Sequence, residues 1–77
     1  MIRNLIDLGS YRIKFNAARI NASLTQEDVC KELNISKTTL VEIEHYRKDV
    51  SIDMLDKMCR LYQLPDKDLF FLPKKSN

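Results

Sequence analysis

Apolar residues recur along most of the chain at intervals of three and four, which is the spacing of a helix face turned toward a core. Tyr11, Phe15, Ala18 and Ala22 define such a face and predict a first helix over residues 11–22, with Ser10 as its N-cap. Upstream, Ile2, Leu5 and Ile6 keep the same spacing until Gly9 and Ser10 interrupt it. Residues 1–10 therefore read either as an N-terminal arm or as a short extra helix.

The run Thr25-Gln26-Glu27-Asp28 has the form of a helix start: the threonine hydroxyl accepts from an unpaired amide while Asp28 reaches back to the cap. Val29, Cys30 and Leu33 form the inner face of that short second helix. Asn34 stands where the chain leaves it, a left-handed position that asparagine tolerates. Ser36 caps a third helix, about 36–45, with Leu40 and Ile43 inward, and so brief a turn makes the two helices cross steeply. Ser51 caps a fourth helix over 52–63, with Ile52, Leu55, Met58, Cys59 and Tyr62 at helical spacing, until Leu64-Pro65 breaks it. Residues 66–72 supply one or two turns of a fifth helix, and 73–77 form a polar tail predicted to be disordered.

One glycine and two prolines in 77 residues, with 44% apolar content, suit a compact helical domain rather than a turn-rich β fold. The expectation is an all-α, five-helix domain over 11–72. Net charge is +2, so only its placement informs: residues 3–19 carry four basic and one acidic group, whereas Asp49, Asp53 and Asp56 are all acidic. Cys30 and Cys59 are far apart and His45 is the sole histidine, so neither a zinc site nor a disulfide framework is expected, only free thiols in a reducing cytosol. No apolar run approaches membrane-spanning length, and the protein is expected to be cytoplasmic. No nucleophile lies beside an evident base, there is no phosphate loop, and Asp66 and Asp68 serve a helix dipole. No enzyme activity and no cofactor are expected.

The run from Gln26 through Asn34-Ile35-Ser36 to Ile43 resembles the helix-turn-helix of phage repressors, Cro proteins and related bacterial and plasmid regulators, over about 11–70. Val29, Leu33, Ile35, Leu40 and Ile43 match its buried positions; Cys30 stands for the usual alanine, and Asn34 for the usual turn glycine. The resemblance implies a lambda-repressor-like fold and an ion pair between Arg19 and Glu44 that joins the first helix to the end of the recognition helix.

By the same resemblance, Lys37, Thr38 and Glu42 occupy base-reading positions, with Val41 nearby. Lysine donates to guanine O6 and N7, threonine bonds or packs on a thymine methyl, and glutamate accepts from cytosine N4 or else repels the DNA. Gln26, Thr39, Arg47 and Lys48 fall at phosphate-contacting positions.

The sequence departs from the family at Glu44-His45-Tyr46-Arg47, where Tyr46 replaces a glycine expected to turn left-handed. Tyrosine is disfavoured there, so the third helix is expected to run on or to end differently, with the tyrosine hydroxyl donating to a phosphate or the ring packing. Leu69-Phe70-Phe71-Leu72 exceeds one core face. Phe71 and Leu72, with Tyr46, are candidate dimer or partner contacts unless they fold beneath the tail.

Two functions follow from the resemblance. The first is a sequence-specific transcriptional regulator, repressor-like and of phage or mobile-element type, that binds double-stranded DNA as a homodimer. The second is a protein-binding helix-turn-helix module, such as an antirepressor, antitoxin or repressor partner. The first is the leading reading; the weak net charge, Glu42, Tyr46 and the aromatic end are what speak for the second as its alternative.

Overall fold

The computed structural model describes residues 12–73, in which four α-helices, α1 (Phe15–Asn21), α2 (Gln26–Leu33), α3 (Lys37–Glu44) and α4 (Ile52–Leu61), precede a 3-10 turn at Lys67–Leu69. The expected arm at 1–10, the Ser10 cap and residues 74–77 of the expected tail lie outside the described residues. The last three α-helices, α2, α3 and α4, begin where hydroxyl side chains can accept an amide. Asp28 N–H donates to Thr25 Oγ1 at 3.0 Å, Thr39 N–H to Ser36 Oγ at 3.1 Å and Met54 N–H to Ser51 Oγ at 3.1 Å. Asp28 returns the bond, accepting from the Thr25 amide at 2.9 Å and completing a capping box.

The first helix begins later than its apolar spacing predicts. Residues 12–14 are not helical, because Ile13 pairs as a parallel bridge with Phe70. Ile13 N–H donates to Leu69 O and Phe71 N–H to Ile13 O, each at 2.7 Å. That pairing also shortens the fifth helix to the 3-10 turn, since Phe70 is extended (φ −70°, ψ 135°) rather than helical. Among the described residues there are therefore four α-helices where five were expected. The fourth stops at Leu61 rather than 63, with Gln63 in the left-handed region.

Each α-helix is followed by a non-glycine residue at positive φ: Ser23 (62°), Asn34 (57°), Tyr46 (59°) and Gln63 (59°). At each of these ends backbone amides turn back onto the last carbonyls, as in Leu24 N–H to Arg19 O and Leu64 N–H to Cys59 O. Asn34 accepts this geometry most readily; the others hold it against a steric preference of about 1–2 kcal/mol each.

The core joins Phe15 and Ala18 of α1, Val29 and Leu33 of α2, Leu40 and Ile43 of α3, and Leu55, Met58 and Cys59 of α4. Ile13, Tyr62 and Phe70 close it. Ile52, which shares the helical spacing of the other apolar residues of α4, is 69% exposed at the first position of that helix. Both cysteines are free, Cys59 buried and donating to Leu64 O, Cys30 half-buried on α2 and packed against the core. Among the described residues, no helix is long and apolar enough to cross a membrane.

Candidate nucleic-acid interface

The position of α3 is set from behind by one carboxylate. Arg19 Nε donates to Glu44 Oε2 at 2.6 Å, and Gln26 Nε2 donates to Glu44 Oε1 at 3.0 Å. Arg19 also donates from Nη1 to Leu24 O at 3.0 Å. Three elements thus meet at Glu44: the end of α3, the last turn of α1 and the first residue of α2. The Glu44 side chain is only 4% exposed and that of Arg19 13%, so the pair is shielded and hydrogen-bonded on both oxygens, which fixes relative orientation. Tyr62 shares this interior. Burial, and then the Glu44 charge, push its hydroxyl well above the usual phenol range, and the hydroxyl has no hydrogen-bond partner.

Away from this clamp, the head of α3 is open. Lys37 and Thr38 are exposed, and Val41 and Glu42 are half-buried farther along the helix. Lys37 Nζ lies 3.3 Å from Glu27 Oε2, an exposed pair linking the first turns of α3 and α2. Glu27 is held below the ordinary glutamate range, first by its own backbone N–H and then by Lys37. The sequence reading did not single out Glu27. Its only sequence signal is that residues 27 and 37 lie in the first turns of consecutive helices joined by a tight turn.

The phosphate candidates differ in what remains available. One N–H of the Gln26 side-chain amide is given to Glu44, which leaves the second side-chain N–H and the backbone N–H, at the first position of α2, as donors for an anion. Thr39 is half-buried, and its hydroxyl accepts from Ser36 Oγ at 2.9 Å while keeping its own proton to donate. Arg47 and Lys48 are exposed in the loop after α3.

At Tyr46 the structure corrects the expectation that tyrosine would carry the helix on or end it otherwise. Its φ is 59°, with Tyr46 N–H donating to Ile43 O and Arg47 N–H to Glu42 O, so α3 ends in a left-handed turn of the kind a glycine would make. Packing explains the tolerance. The Tyr46 ring stacks on Phe15 with centroids 5.2 Å apart and meets Phe71 edge-on at 5.8 Å. Its hydroxyl accepts the Phe15 amide at 3.3 Å, and burial raises its pKa. Tyr46 is thereby half-buried against Phe15 and Phe71, whereas Phe71 and Leu72 remain exposed.

The chain matches the helix-turn-helix family over residues 16–69. It is 32% identical to an uncharacterised HTH-type transcriptional regulator of Methanocaldococcus jannaschii over 59 residues, 77% of this chain and 86% of that one. No solved structure matches it significantly. The two helices joined by the turn at Asn34, the clamp behind the second of them and the match across most of the chain agree: the protein belongs to the helix-turn-helix family of Cro and repressor type.

Proposed function

We propose that this protein is a sequence-specific DNA-binding transcriptional regulator that lays α3 in the major groove. The observation that carries the reading is the Glu44 clamp, which holds α3 from its buried end and leaves Lys37 and Thr38 exposed at its head. A helix entering the major groove contacts base edges with that N-terminal part. Lys37 donates to guanine, Thr38 bonds or packs on a neighbouring base, Val41 adds apolar contact and Glu42 accepts from cytosine. The Gln26 amide, Thr39, Arg47 and Lys48 hold phosphates and set the register. The resemblance to phage repressors supports repression as the outcome. Exposed Ile52, Phe71 and Leu72 support a homodimer on half-sites about 34 Å apart.

The exposed pair Phe71 and Leu72 equally suits a second reading, in which the domain binds a protein partner. Selection from a randomised duplex library at two salt concentrations separates the two. For DNA reading, one sequence enriches, and affinity falls with a log-log slope of about −0.9 per phosphate neutralised. Lys37→Ala then relaxes preference at one base pair by about 1–3 kcal/mol, while Arg47→Ala weakens all sequences alike. No enriched duplex and feeble retention at low salt would defeat the DNA reading.

A further inference from the structure

Lys37 has a competitor for every base it could read. A lysine at a DNA surface is drawn to the phosphates, where the negative potential is highest, and a phosphate contact carries no sequence information. Its long, flexible stem does nothing to prevent that. In this protein the ammonium is instead met by Glu27, at 3.3 Å, across the gap between the first turns of α2 and α3. The backbone N–H of Glu27 at the start of α2, and then Lys37 itself, lower the Glu27 pKa and favour its ionised form.

From this arrangement we infer that Glu27 is a positioning residue for base reading: it tethers the Lys37 ammonium at the head of α3 and keeps it from the phosphates. The inference rests on the DNA reading proposed above. An ammonium has more than one N–H to give, so one bond stays on Glu27 while the remaining ones face guanine O6 and N7. The carboxylate repels phosphate, so the pair as a whole is unattractive to the DNA backbone and productive only against a base edge. Glu27 therefore lowers affinity for all duplexes and raises discrimination among them, the combination expected of a residue that selects.

The experiment is a cycle of Glu27→Gln, Lys37→Ala and the double variant, each checked for an unchanged thermal melt. Affinities are measured on the selected duplex and on one altered at the Lys37 base pair. Glu27→Gln is expected to bind both duplexes about two- to fivefold more tightly at low salt, with a salt slope steeper by about 0.9, because a freed Lys37 now displaces a counterion. The ratio between the two duplexes is expected to fall about threefold, within the range of a single exposed ion pair. In the Lys37→Ala background the same substitution should leave that ratio unchanged. Discrimination equal to the parent in Glu27→Gln, or a loss of equal size without Lys37, overturns the tether. A parent protein that enriches no duplex overturns the DNA reading and the tether together, whereas enrichment with an indifferent Glu27→Gln overturns the tether alone.

Discussion

The backbone N–H of Phe15 donates to the hydroxyl of Tyr46 at 3.3 Å, so the residue that ends α3 also caps the start of α1. Lys14 occupies the N-cap position and makes no side-chain cap bond of its own. Tyr46→Phe keeps the stacked ring and removes the acceptor; it is expected to lower stability by about 0.5–1.5 kcal/mol in denaturant unfolding. Tyr46→Gly relieves the left-handed backbone but removes both ring contacts, and a net loss of about 2 kcal/mol is expected. A stabilised Tyr46→Gly variant would show that the packing does not compensate the backbone.

Gln63 is also left-handed, at φ 59°, but is exposed. Gln63→Gly should therefore gain about 0.5–1 kcal/mol, the opposite sign to the glycine substitution at Tyr46. Parallel urea titrations of the two variants test the contrast directly.

Removing one partner of the Glu44 clamp strands the other groups in a shielded site. Glu44→Ala is expected to destabilise by about 3–5 kcal/mol, because Arg19 is left as an uncompensated, largely buried charge. Glu44→Gln retains an acceptor for Arg19 and should be milder. Equal losses in the two variants would mean that the charge plays no part in the clamp.

The Tyr62 hydroxyl is buried without a partner, and its pKa is raised chiefly by burial. A raised folded pKa means that its contribution is complete below the unfolded tyrosine value of about 10 and is lost as pH climbs through the folded value. Tyr62→Phe removes both the unpaired hydroxyl and the ionisation. It should melt about 1 kcal/mol more stably at neutral pH and keep its stability better above about pH 10. Identical alkaline unfolding curves would argue against it.

Asp28 shifts the opposite way: its pKa is lowered first by the Thr25 amide and then by the Thr25 hydroxyl. The capping box is therefore fully stabilising above the unfolded aspartate pKa of about 4, and fades as pH falls through the lower folded value. The difference in melting temperature between the parent and Asp28→Ala should be present at neutral pH and narrow below about pH 4. A difference that is constant with pH would place the effect elsewhere.

Local chemistry was legible without the fold. The caps at Thr25, Ser36 and Ser51 and the left-handed exit at Asn34 depend on residues within a few positions of each other, so a linear reading contains their physics. The helical core faces of α2 and α3 followed from spacing for the same reason. Only the tertiary structure decided the start of α1, the loss of the fifth α-helix and the conformation of Tyr46. The bridge from Ile13 to Phe70 joins residues near opposite ends of the domain, and its hydrogen bonds compete with helix extension at both. Tyr46 takes a left-handed turn because Phe15 and Phe71, remote in sequence, pack its ring. The placement of Glu27 against Lys37 is of this second kind. Sequence marks both as charges in the first turns of consecutive helices, and only the packing of α2 against α3 brings them to 3.3 Å.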